Sequence, residues 1–231
     1  MRTILAACET IEDEIKATLN RLELTYPVVW LHGGLHTSIE RLRARLQEIF
    51  LEVDGQCDLL LVSLGYCGGG VSGLSTGDYT TVLPLADDCL SLLLGSMSAR
   101  KESARVPTYY LTAGWMRHEN NVITGYDQMV AKFGTAKADR MNSLVLKHYR
   151  RFGLVDTGVY DLEAAMDRVA PMAEKLNLSV EKLSGDGSWL DRLLTGPHEA
   201  DDFLVIPPRG RLDFEQWKDL LMGGGAATPG G

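Results

Sequence analysis

The chain has 231 residues, of which 45% are hydrophobic and 23% charged, as in an ordinary globular protein that can bury a sizeable core. Lys and Arg number 23 against 31 Asp and Glu, which gives a net charge of -8 without any basic cluster, so nucleic-acid binding is not expected. No stretch approaches the roughly 20 apolar residues of a membrane helix, and residues 1–16 turn acidic too early for a secretory signal.

In chain order, a predicted strand at 3–7 is followed by a helix from 11 to 22, a strand at 28–31 and a helix from 39 to 50. Thr37 and Glu40 form a capping box before this second helix. Strands at 58–64 and 80–85, a helix over 87–94 and a strand at 109–111 come next. A helical stretch then spans 121–149, interrupted near Gly134. Strands at 153–156, 179–183 and 203–206 alternate with helices over 162–176 and 189–194.

This alternation predicts the α/β class, with a mostly parallel sheet and helices on both of its faces. We expect one α/β domain over residues 1–222, in which a second small lobe could begin at about residue 151. The Gly-rich segment 223–231 is predicted to be a disordered tail. The loops that lead from strands into helices then share one edge of the sheet, where open α/β sheets bind ligands.

Cysteine and histidine residues follow four successive strands at that edge. They are, in chain order, Cys8, His32, His36, Cys67 and Cys89. Cys57 precedes its strand, so it is expected at the opposite edge. Four cysteines are too few for a disulfide scaffold, which favours a reducing compartment with free or metal-bound thiols. We therefore expect a cytoplasmic protein.

The loop after the third strand is rich in glycine, and Cys67 stands in it between a tyrosine and three glycines. Such a loop brings backbone amides close to a ligand or cluster, whereas a flexible connector is the alternative. Trp115 follows a later strand and is expected to form a pocket wall. The predicted cofactor-binding residues are therefore Tyr66, Gly68, Gly69, Gly70 and Trp115.

Cys89 follows two aspartates at the start of a predicted helix. The helix dipole favours a thiolate there and the carboxylates oppose it, so a nearby cation is expected to resolve the conflict. Asp87 and Asp88 could supply an acid or base, or could simply cap the helix. We assign predicted catalytic roles to Cys67, Cys89 and Asp88.

Soft thiolates and an imidazole on separate loops suit catalytic zinc, or an iron–sulfur cluster with one non-cysteine ligand. No CxxC pair is present, which excludes a zinc-ribbon site. A metal-free alternative stays open, in which two facing thiols remove and return a proton, as in cofactor-independent racemases. The predicted metal ligands are Cys8, Cys67 and Cys89, with His36 as the fourth.

A series of short motifs runs in order along nearly the whole chain. They are Ala7-Cys8 with Thr10-Ile11-Glu12, Gly34-Leu35-His36, Leu64-Gly65-Tyr66-Cys67-Gly68, Asp87-Asp88-Cys89, Thr108-Tyr109-Tyr110-Leu111-Thr112 with Gly114-Trp115, Asp156-Thr157-Gly158, and Phe203-Leu204-Val205 with Pro207-Pro208. In these motifs the chain resembles the bacterial and archaeal family called domain of unknown function 1638 (DUF1638). The resemblance carries no established activity. It implies a context in one-carbon metabolism, because relatives are often encoded beside corrinoid-dependent methyltransferases in anaerobes.

We thus expect a metal-dependent transferase, centred on zinc or an iron–sulfur cluster, that takes part in methyl or one-carbon transfer. The expected partner is a corrinoid protein or a methyltransferase. One alternative is a non-catalytic accessory protein that binds a cofactor for a methyltransferase. The other is a metal-free enzyme that uses its thiols as acid and base.

Overall fold

The computed structural model describes residues 1–213 and residue 215. The first half contains strands β1 (Thr3–Cys8), β2 (Val28–Leu31), β3 (Leu59–Val62) and β4 (Thr80–Pro84), and helices α1 (Glu12–Arg21), α2 (Ile39–Glu52), α3 (Cys89–Leu93) and α4 (Met97–Ser103). The second half contains β5 (Thr108–Leu111), β6 (Arg151–Asp156), β7 (Ser179–Ser184) and β8 (Phe203–Ile206), and helices α5 (Ala113–Arg117), α6 (Val122–Phe133), α7 (Thr135–Leu146), α8 (Leu162–Leu176) and α9 (Ser188–Thr195). None of these described helices is long and apolar enough to cross a membrane.

The strands form two sheets. The first has the order β2-β1-β3-β4-β8, in which β8 alone runs antiparallel to its neighbour. The second has the order β5-β6-β7 and is parallel throughout. Because β8 pairs with β4, that edge of the first sheet is occupied and β5 starts a sheet of its own. The predicted α/β class is confirmed, and the strands are mostly parallel as predicted, but they form two sheets where one was expected.

The first sheet is buried on both faces. Side chains alternate between the faces along a strand, so Ile4 and Ala6 of β1 lie in one core while Leu5 and Ala7 lie in the other. Helix α2 packs its apolar stripe on the first of these cores, and α1, α3 and α9 pack on the second. Near-continuous apolar strands of this kind are typical of a parallel sheet covered by helices.

The second sheet contributes Tyr110 and Val155 to the same core as α1 and α9, so this core joins the two sheets. Its opposite face is covered by α5, α6 and α8. The chain enters this sheet at β5, before residue 151, and returns through α9 to β8 of the first sheet. The single domain over 1–222 stays a prediction, and the predicted tail at 223–231 lies outside the described residues.

The start of α2 differs from the predicted capping box. Residues Gly33–Thr37 form a short 3-10 helix, and Thr37 donates its hydroxyl to the Gly34 carbonyl oxygen at 2.8 Å. Ser38 caps α2 instead and accepts a hydrogen bond from the Arg41 amide at 3.3 Å. The prediction that Thr37 caps this helix was wrong because the preceding turn already uses its hydroxyl.

Candidate functional site

A pocket of about 230 Å³ lies at the carboxyl end of the first sheet and is walled by residues of both sheets. Five predicted site residues line it, namely His36, Cys67, Asp88, Cys89 and Trp115. Five further lining residues were not among the predicted site residues, namely Thr10, Ile11, Leu90, Tyr110 and Thr112. Most of the exposed wall is apolar, so the polar groups that meet the pocket are few and come mainly from the predicted residues.

Cys8 connects three of the loops at this edge. It closes β1 and is fully buried, and its Sγ lies 3.1 Å from Nε2 of His36. The Thr10 hydroxyl lies 3.1 Å from the same sulfur and 3.7 Å from Sγ of Cys89. The loops after β1, β2 and β4 thus bring two thiols and one imidazole together, as the strand order predicted.

Cys67 reaches the pocket because the loop after β3 is bonded to the loop after β4. The Cys67 amide donates to the Asp87 carbonyl oxygen at 2.8 Å. Only glycine fits at position 65, since a Cβ there would lie 2.7 Å from the Ala86 carbonyl oxygen. This close backbone approach places Cys67 on the same pocket as Cys89.

The backbone of Cys67 is strained. Its φ is 46°, in the left-handed region that residues other than glycine rarely adopt. Such strain persists where the surroundings fix the residue, and it is concentrated at functional sites. Gly68 and Gly69 continue the turn with φ of 66° and 103°. Neither they nor Tyr66 line the pocket, whereas Trp115 does.

Asp88 has two structural roles beside Cys89. It caps α3 by accepting a hydrogen bond from the Ser91 amide at 3.1 Å. Its Oδ2 also binds the guanidinium of Arg100, with Nη2 at 3.0 Å and Nε at 3.1 Å. Arg100 thus balances the charge of the carboxylate that precedes Cys89, and it also donates to the Tyr110 hydroxyl at 3.1 Å.

The thiols of this site are hard to ionise. Burial raises the pKa of Cys67 far above its ordinary value, and the negative charge of Asp88 raises it further. Burial also raises the pKa of Cys89, as do charges on Cys8 and Cys67. Burial lowers the pKa of His36, which leaves a neutral imidazole able to bind a metal. Several thiolates can therefore coexist here only when a cation compensates their charge.

Trp115 is held in place by contacts between the two sheets. The Thr112 hydroxyl donates to the Thr10 carbonyl oxygen at 2.6 Å. A Cβ at Gly114 would lie 2.5 Å from the Glu9 carbonyl oxygen, so this backbone approach also requires glycine. The loop after β5 is thus fixed on the loop after β1, and Trp115 becomes a wall of the thiol pocket.

Two further predicted positions lie elsewhere. His32 does not line the pocket; its ring lies 4.8 Å from that of His118, which in turn stacks on Trp115 at 5.1 Å. Cys57 precedes β3 and is buried, with Sγ 3.7 Å from the Val53 carbonyl oxygen. Cys57 therefore lies at the opposite edge of the sheet, as expected.

The donor set of the pocket fits a soft metal. Zinc bonds of about 2.3 Å to sulfur and about 2.0 Å to nitrogen, at tetrahedral angles, put two such ligands about 3.5 Å apart. Cys8 Sγ and His36 Nε2 are 3.1 Å apart, close to that separation. In the described part of the chain, no group of three or more His, Cys, Asp or Glu side chains is arranged to hold a metal ion. The assigned roles therefore stay predictions.

Thr10 and Arg100 are the contacting residues that sequence reasoning missed. Thr10 could have been found, because a hydroxyl two residues after Cys8, in the same loop, is placed to reach its sulfur. Arg100 gave no such signal. It lies in α4, which has only seven residues and no clear apolar periodicity.

Comparison with known proteins identifies a family and no activity. The family model described as protein of unknown function (DUF1638) matches residues 30–194, more than half of the chain. This range contains His36, Cys67, Asp88, Cys89 and Trp115. No curated protein and no solved structure matches the chain. The chain belongs to the DUF1638 family of proteins of unknown function.

Proposed function

We propose that the chain binds a zinc ion through Cys8, Cys67, Cys89 and His36, and that the site takes part in methyl or one-carbon transfer. The observation that carries the proposal is that His36, Cys67 and Cys89 line one largely apolar pocket, while the buried Cys8 lies behind them with its Sγ 3.1 Å from Nε2 of His36. The expected partner is a corrinoid protein or methyltransferase, as the family resemblance implies.

A single ion suits the spacing of the donors better than a cluster. Neighbouring ligands of one zinc ion lie about 3.5 Å apart, and the contact between Cys8 and His36 is 3.1 Å. The four ligands of an iron–sulfur cluster are divided over two or four iron atoms, so some of them lie farther apart than the ligands of one ion. Metal analysis separates the two, because a cluster brings iron and sulfide.

The pocket suits a small, weakly polar reacting group. Its volume is about 230 Å³, and Ile11, Leu90 and Trp115 give it apolar walls beside the thiols. Bound zinc would supply the positive charge that keeps a thiolate ionised at neutral pH. Arg100 neutralises Asp88, so this carboxylate does not repel a thiolate with its full charge. A thiolate protected in this way is suited to accept a methyl group and pass it on.

A metal-free thiol enzyme is the second candidate, and one contact favours it. The His36 imidazole lies 3.1 Å from the Cys8 sulfur, a contact of the kind found in cysteine–histidine pairs. This alternative predicts activity that survives exhaustive chelation and is lost on alkylation. The zinc proposal predicts that chelation removes activity and that added zinc restores it.

Metal and sulfide analysis of protein purified without oxygen tests the proposal. We expect stoichiometric zinc in the wild type and in Cys57→Ser, whose thiol lies at the opposite edge of the sheet. Cys67→Ser is expected to lose the metal. Equal metal content in both variants would contradict the assignment. Iron together with sulfide would show that the site holds an iron–sulfur cluster and not zinc.

A further inference from the structure

A second cavity, of about 520 Å³, lies at the carboxyl ends of β6 and β7. Its walls come from α1, α9 and the loops that follow the two strands, and it shares no lining residue with the thiol pocket. The motif Asp156-Thr157-Gly158, which the proposed function leaves unexplained, forms part of its wall through Thr157 and Gly158. Cavities at the carboxyl ends of parallel strands are where α/β folds bind ligands.

Glu14 is the unusual residue of this cavity. Its side chain lines the space although the residue is only 3% exposed. Oε1 accepts a hydrogen bond from the Thr157 hydroxyl at 2.8 Å. Oε2 is buried and finds no hydrogen-bond partner among the residues that the structure describes. Buried polar atoms are nearly always paired, so an unpaired one beside a cavity is an acceptor that a bound molecule can satisfy.

The remaining charges of the cavity favour a cation. Asp186 and Asp191 also line it, and Arg21, the basic side chain of the lining, is already paired with Asp191. Within the described ranges, neither Glu14 nor Asp186 forms an ion pair. The space is thus acidic, with a hydrogen-bond acceptor available at its wall.

We propose that this cavity binds a small molecule that carries a primary ammonium group, with Glu14 as the group that recognises it. The ammonium would donate a hydrogen bond to Oε2, and its charge would complement the acidic lining. A carboxylate ligand would meet Glu14 and Asp186 at the same wall, so like charges oppose it. This inference is independent of the metal proposal, because the two sites share no residue.

A binding titration with three probes of equal length tests the charge preference. Butylamine, butanol and butyrate carry the same alkyl chain and differ only in an ammonium, a hydroxyl or a carboxylate group. We expect saturable binding of butylamine and binding of the other two at least about tenfold weaker. Absence of butylamine binding, or equal or tighter binding of butanol or butyrate, would overturn the proposal.

Three variants locate the site. Glu14→Gln keeps the shape of the side chain but removes its charge, and it should weaken butylamine binding about tenfold or more. Glu174→Gln, on the exposed side of α8, should leave binding unchanged. Ala17→Leu fills the cavity without altering the carboxyl group and should also abolish binding. If Glu14→Gln fails to fold, butylamine binding by Ala17→Leu decides whether the ligand lies in this cavity. Undiminished binding in Glu14→Gln or Ala17→Leu would contradict the assignment.

Discussion

The ion pair between Arg100 and Asp88 holds α4 against the thiol loop, and its removal should destabilise the fold measurably. The substitution Arg100→Met keeps an unbranched apolar chain but removes every hydrogen bond of the guanidinium. Asp88 would keep its capping bond to α3 but lose its counter-charge. The Tyr110 ring would lose the cation that lies 4.6 Å from its centroid.

The exposure of the ion pair determines how much stability its removal costs. The side chains of Arg100 and Asp88 are 17% and 30% exposed, between the surface and the deep interior. Exposed pairs contribute up to about 1 kcal/mol, whereas breaking a buried pair costs about 3–5 kcal/mol. A cation–π contact adds about 0.5–1 kcal/mol. We therefore expect Arg100→Met to lower the free energy of unfolding by about 2–3 kcal/mol.

Equilibrium unfolding in urea measures this loss, which corresponds to a midpoint shift of about 1 M. The control is Arg105→Met, five positions along the chain. Arg105 pairs with Glu102 at 3.0 Å, but their side chains are 75% and 65% exposed. The control should change stability by less than about 0.5 kcal/mol. Equal effects of the two substitutions would refute the role assigned to Arg100.

Three further predictions concern the loop, the second cavity and the chemistry. Gly65→Ala places a Cβ 2.7 Å from the Ala86 carbonyl oxygen and should lower the free energy of unfolding in urea by about 2 kcal/mol. The control is Gly187→Ala, where a Cβ meets nothing within 4 Å and stability should not fall. An equal loss of stability in the two variants would contradict the close backbone approach at Gly65. Burial raises the pKa of Glu14 above 4.5, so the stability that its protonated form contributes is present below pH 4.5 and is lost as pH rises through the folded-state pKa. Gln does not titrate, so as pH rises through the folded-state pKa of Glu14 the wild type should lose stability relative to Glu14→Gln. Unfolding measured at several pH values tests this, and a wild type that gained stability relative to the variant over that pH range would refute it. With methylcob(III)alamin as methyl donor, transfer of the methyl group to a thiolate leaves both electrons of the cobalt–carbon bond on cobalt, so the visible spectrum should show cob(I)alamin for the wild type and not for Cys89→Ser. Binding without any spectral change would instead favour the accessory-protein alternative.

Sequence reasoning predicted three elements with the observed limits because their boundaries are marked locally in the sequence. Strands β2 and β8 and helix α8 have the predicted limits, since each is an apolar or periodic segment bounded by turn residues or a capping aspartate. The short helices α4 and α5 were not predicted, because five to seven residues give no clear period. The division into two sheets also went unpredicted, because the apolarity of a strand does not record which strand it pairs with.

The sequence likewise predicted some features of the site and not others. Cys8, Cys67 and Cys89 each follow a parallel strand, and that topological rule is enough to bring them to one edge. His32 and His36 lie in one loop, yet the 3-10 helix Gly33–Thr37, which begins after His32 and contains His36, directs only His36 to the thiols. Which histidine faces the pocket depends on this turn, and neither composition nor spacing records it.

X-ray absorption at the zinc edge tests most directly whether Cys8, Cys67, Cys89 and His36 bind one zinc ion. For protein purified without oxygen, we expect three sulfur neighbours at about 2.3 Å and one nitrogen neighbour at about 2.0 Å. His36→Ala should keep the sulfur neighbours and lose the imidazole contribution. A zinc shell of oxygen and nitrogen atoms without sulfur, or protein that binds no metal, would show that these four residues are not the ligands of a zinc ion.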